Sequence, residues 1–394
     1  MNVKNLSILA IFTLAIVITA ILLTQKETIP TTAEKLFPDL ENVINDVTEI
    51  NINTQEKSTT LIRTGENWQW QIKEKHLYPA SLDKVHKLLL GVINLTVIEA
   101  KTSNPSRYAK IGVEDISEEG AKSVLLTLKK ADGEIKVNLI IGNDRIAKSD
   151  STRREIYVRK QGEKQSWLTL GQLSSEKTPK DWLDQQIVNI DSNNIRQVSI
   201  THPEGDSLLL FKDSPEDENY QLAELPENAK IKLPYMLDNI ATTLSGLDLD
   251  DVTVATEVEF NDDATNRAVF TTFDGLEITM TTTEKEGKHY AKFAAAFNQA
   301  VKALKKDEKA TASEEAETQP ASSEEAEIQP ITDEEIKKQV DKLNAKFKGW
   351  AYELSKYKVD YLAKKSEELI GVEEPADAPI EEIKQPSAFG NPTT

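Results

Sequence analysis

Two short motifs recur at long range in this chain, and with the elements around them they restrict the fold to one module used twice. Glu66-Asn67-Trp68-Gln69 returns as Glu218-Asn219-Tyr220-Gln221, and Asp181-Trp182-Leu183 returns as Asp360-Tyr361-Leu362. A chain of 394 residues has room for two domains, each with its own core. Repeats of this kind are the first organisation to test, because they decide how every later element is read.

In the first copy Thr48-Glu49-Ile50-Asn51-Ile52 alternates polar and apolar residues, the period of a half-buried strand. Thr59 to Arg63 and Trp68 to Ile72 continue it as a meander, with Gly65-Glu66-Asn67 as the turn. Ser81 then caps a predicted helix whose Leu82, Val85, Leu89 and Val92 fall at spacings of three and four. Val124 to Leu128 and Ile135 to Ile141 flank Asp132-Gly133, where glycine supplies the positive φ that a tight hairpin needs. Strands are expected at Glu155–Arg159 and Trp167–Leu170, and a short helix at Asp181–Val188 closes the copy.

The second copy repeats this order. Ile195 to Ile200, Leu208 to Phe211 and Tyr220 to Leu222 replay the meander. Leu233, Leu237, Ile240, Leu244 and Leu247 mark the helix, and Phe273-Asp274-Gly275-Leu276 the hairpin. Trp350 matches Trp167, and a helix from Lys358 to Leu369 closes the copy. The offsets are 148 at Ile52 and Ile200, 152 at the Asn-aromatic motif and 142 at Asp-Gly, which is element order kept while loops vary. The expected fold class is therefore α+β: an N-terminal transmembrane helix, then two tandem copies of a mainly antiparallel sheet module with packing helices.

That helix is read from Leu6 to Thr24, nineteen residues without a charge, about 28 Å long at 1.5 Å per residue. The run exceeds the 7–15 residues of a signal-peptide core and no Ala-x-Ala site follows, so it reads as an anchor that is kept. Lys4 precedes it, placing the N-terminus in the cytoplasm and the bulk of the chain on the far side. The organisation is 1–24 stub and anchor, 25–35 stalk, 36–190 first repeat, 191–371 second repeat with an insertion at about 298–346, and 372–394 disordered tail.

The insertion distinguishes the copies. Ser313-Glu314-Glu315-Ala316-Glu317-Thr318-Gln319-Pro320 recurs as Ser323-Glu324-Glu325-Ala326-Glu327-Ile328-Gln329-Pro330. From Asp307 to Glu335 there are eleven acids and one base, so this stretch carries much of the net charge of −19. Its centre is expected to be disordered. Its flanks Ala294–Lys306 and Asp333–Lys346 are expected to pair as helices projecting from the sheet.

Such a charge excludes nucleic acid as a partner, since phosphate binding needs clustered Lys and Arg. With no cysteine there is no disulfide, thiolate nucleophile or Cys-ligated metal. Histidines 76, 86, 202 and 289 have no metal-ligand spacing. His202-Pro203-Glu204-Gly205-Asp206 reads as a turn. Asp248, Asp250, Asp251, Asp262 and Asp263 lack an EF-hand pattern. Gly-x-Gly-x-x-Gly, P-loop and Gly-x-Ser-x-Gly signatures are absent. Trp68, Trp70, Tyr78, Trp167, Trp182 and Trp350 are assigned to the core, Trp68 and Trp70 on one face. No catalytic, cofactor-binding or metal residue is nominated, no cofactor is expected, and the binding surface is open.

The chain resembles the domain of unknown function 4340 family. The likeness lies in Trp68, Pro79 and the helix at Ser81, in Tyr108 to Gly112-Val113, in Glu155-Ile156-Tyr157-Val158-Arg159, and in Asp181-Trp182-Leu183 with Ile190-Asp191 and Ile195. It continues through Asn344 to Tyr352 and Tyr357-Lys358. The resemblance implies a bacterial inner-membrane anchor, a periplasmic bulk, and partnership with ABC-type transport or gliding-motility-like complexes. It carries no catalytic residues. The expected function is a nonenzymatic membrane-anchored scaffold or auxiliary subunit. The alternative is a periplasmic ligand-binding protein or enzyme acting on envelope material in a groove between copies.

Overall fold

A computed structural model describes residues 34–372 apart from 65–67, 149, 174–175, 224, 226–228 and 302–330. The run Leu6–Thr24, the acidic octapeptide repeats and the tail from residue 373 lie outside the described residues. So do Glu66 and Asn67. Among the described residues no helix is long and apolar enough to cross a membrane.

The chain divides after Gln185 into two compact units. In the first, Lys35 bridges Thr96 and a one-turn helix, Leu40–Val43, leads into the sheet. Its strands are β1 Val47–Asn53, β2 Ser58–Thr64, β3 Gln69–Ile72, β4 Tyr78–Pro79, β5 Thr96–Ala100, β6 Val124–Lys130, β7 Ile135–Ile146, β8 Arg154–Lys160 and β9 Ser166–Leu170. The sheet order is β4-β3-β2-β1-β6-β7-β8-β9-β5, and every described pairing in it is antiparallel. Helix α1, Leu82–Asn94, separates β4 from β5.

The second unit contains β10 Gln186–Val188, β11 Ile195–Thr201, β12 Ser207–Phe211, β13 Gln221–Leu222, β14 Ala229–Ile231, helix α2 Pro234–Ala241, β15 Leu247–Asp248 and β16 Asp251–Val254. It continues through β17 Asn266–Thr272, β18 Leu276–Lys285, β19 Lys288–Phe297, α3 Asp333–Phe347, β20 Trp350–Leu354, α4 Lys356–Leu362, α5 Ser366–Leu369 and β21 Ile370–Val372. Its main sheet runs β13-β12-β11-β17-β18-β19-β20-β16, with two-strand ribbons β10-β15 and β14-β21 beside it. The chain is thus α+β, built mostly of antiparallel sheet. Leaving out β4, the two large sheets have the same strand order. Even a local irregularity recurs: the first strand slips register between Val47 and Glu49 in one sheet and between Ile195 and Gln197 in the other.

Registers correct two expected correspondences. In the first sheet Ile50, Leu61 and Ile72 form one row across β1, β2 and β3. In the second the row is Val198, Leu210 and Leu222. Two residues upstream of each row's end stand Trp70 and Tyr220, 3% and 4% exposed. Trp70, not Trp68, is therefore the counterpart of Tyr220. Trp68 is 58% exposed at φ +48, outside the core expected for it, because the backbone there has left the strand conformation that would alternate its side chain inward. Likewise Tyr352, opposite Ala291, holds the place that Trp167 holds opposite Val158; Trp350 lies two residues away.

Several expected helices differ. The buried stripe of α1 is Val85, Leu88 and Val92, whereas Leu82 is 55% exposed at the first turn. The helix expected at Asp181–Val188 is instead a short 3-10 turn, Pro179–Trp182, followed by β10, and that expected at Lys358–Leu369 is broken into α4 and α5. Ala294 to Phe297 belongs to strand β19. Its alanines favour helix intrinsically, but Ala291, Phe293 and Ala295 alternate inward while β19 pairs with β18 along its whole length, and pairing overrides propensity. The turn joining β18 to β19 is Glu286-Gly287, both at positive φ, the signature of a type I′ hairpin.

The Asp333 flank is helical, as α3, yet it packs on the sheet rather than projecting from it. Ile336 and Phe347 are buried, and the Phe347 ring lies 5.4 Å from that of Phe293. Residues 298–349 occupy the link between β19 and β20, where the first unit joins β8 to β9 through residues 161–165.

Candidate functional site

A cleft of about 1110 Å³ lies inside the first unit. Its floor comes from the sheet, through Ile52, Leu126, Ile141 and Ile156, and from Leu88 of α1 and Trp182. These apolar side chains share a face because strand residues alternate. Close packing sets one wall: a Cβ on Gly91 would come within 2.7 Å of the Gln172 carbonyl oxygen, so only glycine lets α1 approach the segment that follows β9.

Trp182 is fixed from several sides. The Thr178 N–H and hydroxyl donate to the Asp181 carboxylate at 2.9 and 2.6 Å, capping the 3-10 turn that carries it. Burial pushes the Asp181 carboxyl up, but these hydrogen bonds prevail and hold it below its ordinary value. The Ser81 N–H donates to the Trp182 carbonyl at 2.7 Å, Ala80 bridges Leu183, and the Asp184 N–H donates to the Pro79 carbonyl at 3.1 Å. Trp182 is fully buried, and its indole Nε1–H has no hydrogen-bond partner.

The rim is cationic. Lys87, Lys122 and Lys177 are exposed on separate elements around the cleft, and no described carboxylate pairs with their ammonium groups. Arg154 and Asp144, also on the rim, are paired at 2.8 Å; Glu176 is the other acid there. Three unpaired lysines at one opening stand out in a chain of net charge −19.

Behind Lys122 lies a polar knot. Its backbone N–H donates to Glu114 Oε1 at 2.7 Å, while Glu114 Oε2 has no partner. Arg159, 3% exposed, donates from Nε to the Val113 carbonyl at 2.9 Å, from one terminal nitrogen to the Glu163 carbonyl at 3.1 Å and from the other to Asp115 at 3.0 Å. Its guanidinium sits 4.5 Å from the Tyr108 ring centroid. The Tyr108 to Val113 and Glu155 to Arg159 stretches thus meet in one scaffold for the cleft wall.

A second hollow of about 580 Å³ lies beside Trp68, where Arg63 is held 4.7 Å from the Trp68 ring and 5.4 Å from the Trp70 ring. His202 is buried in the second unit, with Nδ1 2.8 Å from Asn266 Oδ1 and Nε2 3.0 Å from the Lys364 carbonyl. The His202 to Asp206 turn forms, closed by the His202 N–H to the Asp206 carbonyl at 2.8 Å. Asp248 lies in β15 and Asp251 opens β16. Among the described residues no three His, Cys, Asp or Glu side chains gather as metal ligands.

The sequence did not single out Lys87, Lys122 or Lys177. Each stands on a different element and no spacing links them, so only the fold brings them together. Trp182 carried a signal, its place in a recurrent motif.

Residues 70–290 match the family model described as a domain of unknown function, DUF4340. No curated protein and no solved structure matches the chain.

Proposed function

Since the chain belongs to the DUF4340 family, a domain of unknown function, we propose that it is a nonenzymatic scaffold or auxiliary subunit, anchored by residues 6–24 and holding two copies of one sheet module outside the cytoplasm. The observation that carries this reading is the common strand order of the two sheets, with the same register slip in the first strand of each. Duplicated modules multiply binding surface, and here one link differs greatly in length, 161–165 in the first and 298–349 in the second. The uncharged run supports the anchor. The family resemblance supports an inner-membrane partner of the ABC-type transport or gliding-motility-like class.

Copurification of the full chain from native membranes, with protease added to spheroplasts, tests the proposal. It requires a stoichiometric membrane partner and digestion from outside. A chain that copurifies alone or stays protected contradicts it.

A second reading, ligand binding within the first unit, is favoured by the cleft with its apolar floor and cationic rim. An enzyme acting on envelope material would use that same cleft.

A further inference from the structure

Resting on the ligand-binding reading, we infer that the cleft of the first unit binds an anionic amphiphile, with an acyl chain on the floor and a carboxylate or phosphate head at the lysine rim. Three observations converge. The floor is aliphatic, with Ile52, Leu126 and Ile141 among its residues, so it favours a hydrocarbon over a sugar or a peptide backbone, whose polar groups would lose their hydrogen bonds there. The rim places Lys87, Lys122 and Lys177 around the opening, and none has an ion-pair partner among the described residues, so an anion is drawn to it without first displacing a carboxylate. The volume, about 1110 Å³, is that of a site for a small molecule rather than a crevice for one side chain.

Trp182 closes the base of the cleft; its ring is fully buried and its indole N–H is shielded from solvent. The contacts fit an aliphatic tail and a single anionic group. They do not fit a cation, which three lysines repel, nor a neutral hydrocarbon, which leaves the rim unused.

Two sources supply this chemistry: free fatty acids, with a carboxylate head, and lipid-derived species, with a phosphate head. Titration of the full-length chain with decanoate, decyl phosphate and decanol, each against a protein-free reference, separates them. One anion binds saturably at one site per chain, and which one binds more tightly identifies the source. Decanol binds at least about tenfold more weakly. Shortening decanoate to octanoate weakens binding about fourfold for each methylene that reaches the floor.

The combined variant Lys87→Ala, Lys122→Ala, Lys177→Ala weakens decanoate or decyl phosphate about tenfold and leaves decanol unchanged. These exposed side chains can be truncated without disturbing the core. The same truncation at Lys110, Lys342 and Lys348, none of which lines the cleft, leaves all three ligands unchanged. Equal binding of decanol and the anions, or an anion affinity indifferent to the three rim lysines, overturns the assignment while leaving a ligand site in place. Absence of binding by all three compounds overturns both the assignment and the ligand-binding reading.

Discussion

The side-chain amide of Asn344 stands in for a strand against Ala295, accepting from its backbone N–H and donating to its carbonyl, both at 2.8 Å. Strand β20 pairs with β19 only from His289 to Ala291, so without Asn344 this stretch of β19 would present an unpaired edge. One residue of α3 therefore completes the sheet, and the aromatic contacts of Phe293 with Phe347 and Tyr352 fill the space beneath. Asn344→Ala leaves the N–H and the carbonyl of Ala295 half-buried and without that partner. A loss of about 1–3 kcal/mol is expected in urea denaturation, and Asn344→Asp recovers little of it because a carboxylate cannot donate.

Arg159 is the polar counterpart of such a clamp. Its guanidinium serves two backbone carbonyls and Asp115 while lying on Tyr108. Lysine supplies neither the fork nor the flat face. Arg159→Lys should lower stability by about 1–2 kcal/mol and Arg159→Ala by about 3 kcal/mol, read as shifts of the denaturation midpoint at constant slope.

Gly91 tests whether the cleft depends on the approach of α1. The added methyl of Gly91→Ala meets the Gln172 carbonyl, so the helix or the loop must move, at a cost of about 1–3 kcal/mol despite the higher helix propensity of alanine. Gly120→Ala has no such neighbour to strike; its penalty comes from its positive φ alone. Thermal unfolding of the two variants separates collision from backbone strain.

Asp206 predicts an acid limb in stability. The Ser366 hydroxyl donates to its carboxylate at 2.6 Å and the Ser366 N–H at 3.2 Å, and the hydroxyl bond foremost holds the carboxyl below its ordinary range. The folded pKa lies below the unfolded value of about 3.9. The stabilisation is therefore complete above that value and is lost as the pH falls through the lower folded pKa. Denaturation midpoints of Asp206→Asn should fall below wild type near neutrality and converge with it in acid. Parallel profiles at all pH values would remove Asp206 from the account.

The strands were legible where one face is buried, because alternation in Thr48 to Ile52 directly reports that face. Asp132-Gly133 and Asp274-Gly275 were legible as turns because glycine chemistry is local. What escaped is non-local. Trp68 and Trp70 are both aromatic, and only the register of β3 against β2 shows which one turns inward. The alanines of β19 carry helix propensity, and the strand wins through its partner β18. The cleft escaped altogether, since its lysines lie far apart in sequence and Trp182, from a recurrent motif, resembles any other core aromatic.

The scaffold reading is tested most directly by cross-linking the full chain in its native membranes and identifying the adducts by mass spectrometry. The account predicts one dominant inner-membrane partner, with linked residues outside the cytoplasm. Adducts only to abundant bystander proteins, in no fixed ratio to the chain, would contradict it.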